Sequence, residues 1–300
     1  MDARPLLPLI ILAGAGCGVV GHVDAPAPVA VTSLPATATA AALPVTPSAR
    51  ARARAGRNGI IAPGTGERLI VNVGSDGSGH VLTRILVVRK DGEVVSVGTV
   101  PGSWDYPEPV AGAPLEGISW DGSRVVLVAT DDQSRFVAVP TTEPRARPVV
   151  VHPAGDFTFD AVSHDGRRLL LVEHGGAGRR TYRIRAVDLP SGAMQAAPVV
   201  DKTETKAMVG VPVARATTVD FVYTVYEPTA APPFVHALDA GGTYALCLDL
   251  PAERDPAARG AWRAATRGPA AVTISNTVTR ISYGIVGGKL HSIPYEQWPE

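Results

Sequence analysis

One eleven-residue phrase occurs twice in this sequence and restricts the folds open to it. It reads Ile118-Ser119-Trp120-Asp121-Gly122-Ser123-Arg124-Val125-Val126-Leu127-Val128, then Val162-Ser163-His164-Asp165-Gly166-Arg167-Arg168-Leu169-Leu170-Leu171-Val172. The copies lie 44 residues apart and match slot for slot. Asp-Gly makes a tight turn, because Gly accepts positive φ and Asp hydrogen-bonds the turn backbone. The apolar run behind it is β-branched and too short for a helix, so it predicts a buried strand. Self-similarity at such a period marks one supersecondary unit stacked repeatedly.

Weaker copies extend the pattern. Gly66-Glu67-Arg68-Leu69-Ile70-Val71 repeats the turn-and-strand junction, Asp220-Phe221-Val222-Tyr223-Thr224 is a degenerate copy, and Ile274-Ser275 with Arg280-Ile281-Ser282-Tyr283 keeps the spacing without Asp-Gly. A second strand is predicted after each, over Leu82–Arg89, Arg135–Val139, Tyr182–Asp188, Phe234–Asp239 and Lys289–Ile293. A third follows in most copies, over Glu93–Val97, Pro148–Val151, Pro198–Val200 and Tyr244–Leu250. With a short strand ahead of each phrase, the chain reads as an all-β propeller of about five four-stranded antiparallel blades. A β-sandwich also has short strands, but it does not place one phrase in the same slot of every unit. The last unit, with its inner strand near Ala271–Ser275, reads one strand short; Tyr295–Trp298 or a segment such as Val29–Leu34 is expected to supply the outer strand.

The two strong copies, Ser119-Trp120-Asp121-Gly122-Ser123-Arg124 and Ser163-His164-Asp165-Gly166-Arg167-Arg168, resemble the Ser-Pro-Asp-Gly repeat of TolB-like propellers, with Trp120 and His164 where that family has proline. The resemblance implies an exported protein-interaction platform of the cell envelope. The phrase speaks for blade architecture and not for one activity, since propellers carry many.

Lys+Arg and Asp+Glu balance at 28 each, so no global charge points to nucleic acid. Two cysteines, Cys17 and Cys247, exclude a disulfide scaffold and a four-cysteine zinc site. Residues 1–17 read as an export signal: Arg4, the apolar run Leu6 to Leu12, then Ala13-Gly14-Ala15-Gly16-Cys17. Small residues before a cysteine resemble the lipobox of bacterial lipoproteins, which implies lipidation of Cys17 and anchoring at the outer face of the cell membrane. Plain secretion and an uncleaved anchor are the alternatives. Residues 18–57, rich in Ala, Pro and Thr, lack any sustained period and read as a disordered tether. Residues 58–300 are the propeller domain.

Two long crossovers, Pro101–Pro114 with Trp104 and Tyr106, and Ala252–Pro269 with Trp262, are expected to expose aromatic rings for binding. Glu116 and Asp160 share one slot of neighbouring inner strands. Paired carboxylates can hydrolyse a glycosidic bond, so they are the weak catalytic candidates, against a plain reading as structural acids. The histidines show no ligand spacing, the Gly74–Gly79 stretch reads as a hairpin loop, and Cys247 reads as an inert thiol in a strand. No cofactor, metal or nucleic acid is expected. The expected role is a monomeric interaction or scaffolding module for an envelope protein or cell-wall glycan. A carbohydrate-active hydrolase and a small-molecule sensor are the alternatives. Replacing Cys17 with Ser should release the protein from the membrane fraction and abolish fatty-acid labelling; unchanged membrane association would exclude lipidation at this residue.

Overall fold

The Asp-Gly phrase closes on itself through its own side chains. In a computed structural model of the chain, Ser119 Oγ donates to Asp121 Oδ1 at 2.6 Å, while Ser123 N donates to the same oxygen and Arg124 N to Ser119 Oγ. Ser163, Asp165, Arg167 and Arg168 repeat every one of these bonds. Ser and Asp recur in the phrase because each satisfies turn N–H groups that no strand partner reaches. Gly122 and Gly166 take φ of 70° and 64° in these turns.

The structure describes residues 29–33, 59–110, 116–143, 146–175, 181–202, 210–228, 231–250, 261–277, 279–286 and 289–293. These form five antiparallel sheets in chain order. The first contains Gly59–Ile61, Arg68–Ser75, Val81–Val88 and Val94–Pro101. The second contains Trp104–Asp105, Arg124–Ala129, Phe136–Pro140 and Val149–Pro153, with Ile118 bridging to Val125. The third runs Phe157–Val162, Arg168–Gly175 and Thr181–Asp188, and its outer edge is split between Ala193–Met194 and Val200–Lys202. The fourth contains Val211–Thr217, Phe221–Glu227, Phe234–Asp239 and Ala245–Asp249. The fifth contains Arg263–Arg267, Ala271–Ser275, Arg280–Val286 and Lys289–Ile293. Residues from all five sheets line one axial cavity, and the fold is a β-propeller.

Neighbouring sheets pack face to face, and the two-residue period of a strand divides its side chains between them. Val125 and Leu127 join Leu69, Ile85 and Val87 of the first sheet, whereas Val126 and Val128 join Phe157, Leu169 and Leu171 of the third. Leu170 and Val172 then turn to Val222 and Leu238 of the fourth sheet, and Tyr223 and Val225 to Val272 and Ile274 of the fifth. Burial on both faces is why these strands are continuous apolar runs rather than alternating ones.

Backbone bonds link the turns into a rim. Gly64 N donates to Trp120 O at 2.8 Å, Asp121 N to His164 O, His164 N to Ala240 O at 3.0 Å, and Val219 N to Pro269 O at 2.7 Å. Proline at position 164 would lack the N–H that reaches Ala240. The Trp120 and His164 rings also meet across the second and third sheets, 5.1 Å between centroids.

Three expectations are corrected. The fifth sheet already has four strands, because Arg263–Arg267, inside the stretch read as the crossover Ala252–Pro269, is its innermost strand and Ala271–Ser275 its second. Val29–Ser33, within the stretch read as tether, is a strand, and it pairs with Val149–Pro153 of the second sheet rather than closing the last one. Trp104–Asp105 is strand rather than crossover loop, pairing with Val128 and Ala129. Each depends on long-range pairing, which local pattern does not encode. Tyr295–Trp298 lies outside the described residues.

Each turn glycine also rests on the preceding sheet. A Cβ on Gly166 would lie 2.7 Å from Ser123 Oγ and 2.9 Å from Arg124 Cβ. Gly166→Ala should therefore destabilise the protein by about 2 kcal/mol or more, combining left-handed strain with that clash. Urea denaturation would measure it, and an unchanged midpoint would refute the contact.

Candidate functional site in the axial channel

Three successive inner strands carry a charged residue in one equivalent slot. Ile118 pairs with Val125, Val162 with Leu169 and Thr217 with Val222, and two residues earlier on each inner strand stand Glu116, Asp160 and Arg215. The equivalent position of the fifth sheet is Ala264, two residues before Thr266, which pairs with Val272. Asp160 sits at a β-bulge, where Phe159 pairs with Leu171 and Ala161 with Leu170. An extra residue at a bulge is free of the ladder and can be re-aimed.

Arg215 joins the three strands. Its Nε donates to Glu116 Oε1 at 2.7 Å, its Nη1 donates to Asp160 Oδ1 at 3.1 Å and to Thr224 Oγ1 at 2.6 Å, and its Nη2 donates to the Asp160 carbonyl oxygen. The Arg215 side chain is 2% exposed and that of Asp160 4%, against 20% for Glu116. Burial opposes the guanidinium's charge, but Glu116 and Asp160 together hold its pKa above the usual arginine range. Burial likewise pushes the Glu116 carboxyl up, and Arg215 pulls it back down.

His236 is buried in the core of the fourth sheet. His236 meets the rings of Tyr182 and Tyr226 edge-on, at 6.3 Å from each. Burial pushes the His236 pKa down to about 4, so the ring is neutral near pH 7.

On the channel side, Glu116 and Arg215 line an open cavity of about 410 Å³. Its wall is otherwise apolar or hydroxyl-bearing, with Ile61, Ile118, Phe159 and Val162 among the apolar residues and Thr217 and Thr266 carrying hydroxyls. The two sequence-predicted carboxylates are thus brought together, but only Glu116 lines the cavity; Asp160 points into the packed interior. Among the described residues, no group of three or more His, Cys, Asp or Glu side chains could hold a metal ion.

Sequence reasoning missed Arg215. The signal was its slot, three residues before Thr218 as Asp160 is before Ser163, and Phe221 N donates to Thr218 Oγ1 as Arg168 N does to Ser163 Oγ. Loss of the Asp-Gly pair from that copy hid the alignment.

The aromatic candidates are corrected. Trp104, Tyr106 and Trp262 are buried, at 4%, 5% and 4% exposure, and present no free ring face. Trp104 Nε1 donates to Pro101 O, Tyr106 Oη donates to Leu69 O, and Arg135 covers the Trp104 ring at 5.3 Å. Both Trp104 and Tyr106 belong to the core between the first and second sheets, and Trp262 to that between the fourth and fifth. Large rings were drawn into inter-sheet gaps because burying them stabilises more than any loop exposure would. Cys247 is half-buried opposite His236, and Cys17 lies outside the described residues.

Arg215→Met should cost about 3–5 kcal/mol by leaving two carboxylates uncompensated. Neutralising all three, with Glu116→Gln and Asp160→Asn added, should recover part of that loss. Thermal denaturation of the single and triple variants checks both signs.

No family model matches the sequence, and no curated protein matches it. Several solved structures are similar to it at low identity. TolB from Acinetobacter baumannii is 13% identical with a TM-score of 0.37, over 78% of this chain and 55% of that one. The β-propeller domain of the Trilobed protease from Pyrococcus furiosus is 11% identical with a TM-score of 0.38, over 79% of this chain and 83% of that one. A protein from Listeria monocytogenes is 8% identical with a TM-score of 0.40, over the same shares of the two chains. This chain therefore spans little more than half the length of the Acinetobacter TolB. The fold assignment rests on the five sheets and their shared cavity: the chain is an all-β propeller, and TolB and other propeller proteins are its structural neighbours.

Proposed function

We propose that this protein is an exported, lipid-anchored propeller that serves as a binding or scaffolding module at the cell envelope. Export and anchoring are supported by the apolar run Leu6 to Leu12 and the small residues before Cys17. The binding role is carried by one observation: Arg215 grips both Glu116 and Asp160, and Asp160 does not line the cavity. A glycosidase of the usual kind needs two carboxyl groups that flank the scissile bond from opposite sides. Here, among the described residues, a single carboxylate reaches the cavity, and the second holds the arginine that bonds to both. What remains is a preformed recess on a rigid scaffold, the arrangement of a binding module.

In-cell crosslinking of the full chain should enrich a defined set of envelope proteins or wall glycan, and Cys17→Ser should lose that set along with membrane attachment. The same purified protein should release no reducing ends from cell-wall glycan. Glycan turnover that is abolished by Glu116→Gln would overturn the reading in favour of a hydrolase.

A further inference from the structure

The axial cavity has a chemical preference that the binding role alone does not specify. Its volume of about 410 Å³ lies in the range of small-molecule pockets. Residues from all five sheets line it, most of them in or beside inner strands. The wall is largely apolar, and among the described residues Glu116 and Arg215 are the two charged side chains that line it.

Those two charges are unequal in what they can offer a ligand. Arg215 spends four of its five N–H donors on Glu116 Oε1, Asp160 Oδ1, the Asp160 carbonyl oxygen and Thr224 Oγ1, which leaves a single N–H on Nη2. An incoming carboxylate or phosphate would find no bidentate partner. The cluster of two carboxylates and one guanidinium carries an excess negative charge when all three are ionised. Asp160 adds a buried oxygen, Oδ2, with no hydrogen-bond partner among the described residues. An anion would enter against that excess, whereas a cation would neutralise it in a site where low polarity strengthens the attraction. A metal ion is a poorer match, since one wall carboxylate falls far short of the oxygen shell of a hard cation.

We propose that the axial cavity binds a small organic amine, with the ammonium at Glu116 and an apolar body against Ile118, Phe159 and Val162. This rests on the reading of the chain as a binding module and specifies the class of ligand it takes.

Phenethylammonium, 2-phenylethanol and 3-phenylpropanoate are three probes of one shape that differ in charge. Titration into the purified full chain, followed by calorimetry and ligand-observed NMR, should show the amine binding at least tenfold more tightly than the alcohol, with the carboxylate weaker still. Glu116→Gln should reduce amine binding tenfold or more and leave the alcohol unchanged. Ala265→Phe, which fills the cavity from the fifth sheet, should abolish binding of both. Equal affinity for amine and alcohol, preference for the carboxylate, or no binding of any probe would overturn the proposal. The wild-type comparison decides the matter even if the Glu116 variant fails to fold. An Nα-acetyl-lysine amide is the last arm: binding tenfold tighter than the free amine would overturn a small-molecule ligand in favour of a partner's lysine side chain. Partner capture by crosslinking is read separately, so a failure of the amine site leaves the scaffolding role standing, and a loss of capture leaves the cavity result intact.

Discussion

The structure depends on one guanidinium. Arg215 lies at the axis, where the inner strands of the second, third and fourth sheets converge, and it bonds to a side chain or carbonyl from each. Elsewhere neighbouring sheets are held by broad apolar faces, which favour contact but are tolerant of small slips. A buried, directionally bonded charge cluster is not tolerant in that way. Its net contribution to stability is modest when intact, since desolvation offsets attraction, but losing one member strands a buried charge. The bulge at Asp160 makes sense in this light, because it frees both the side chain and the carbonyl of that residue to meet Arg215.

The same cluster separates the chemistry of the axis from that of the sheets. Outside it, strands such as Arg124–Ala129 and Arg168–Gly175 divide their apolar side chains between two neighbours, and each inter-sheet layer is a small core of its own. The aromatic rings fall into those layers, where Trp104 and Trp262 fill gaps near the start of an inner strand. The axis cannot be packed this way, since five inner strands splay around a space too wide for their side chains to fill. The cavity is thus a geometric consequence of the fold, and the charges on its wall decide what may occupy it.

The turn rim shows how the repeat stabilises itself at both ranges. Within each phrase, Ser and Asp side chains satisfy the turn; between phrases, backbone bonds such as His164 N to Ala240 O tie one sheet to the next. Where the resembling family has proline, this chain has Trp120 and His164, and their rings add a contact between sheets that proline could not make in the same way.

The sequence by itself determined the unit and its period. Asp-Gly turns, apolar runs and their spacing depend on local backbone preference, so the strands after each phrase were legible, down to Phe234–Asp239 and Lys289–Ile293. The shared slot of Glu116 and Asp160 was legible for the same reason. Tertiary structure alone decided the rest. Which strand completes which sheet is a pairing between residues far apart in the chain: Val29–Ser33 beside Val149–Pro153, and Arg263–Arg267 inside the last sheet, carry no local sign of it. Arg215 was hidden because the turn after it is shorter, and an arginine in a strand looks solvent-facing until two carboxylates from other strands are seen to enclose it. Local propensity acts over a few residues, whereas charge pairing and ring burial act across space. Only the packed arrangement of the sheets brings those partners within reach.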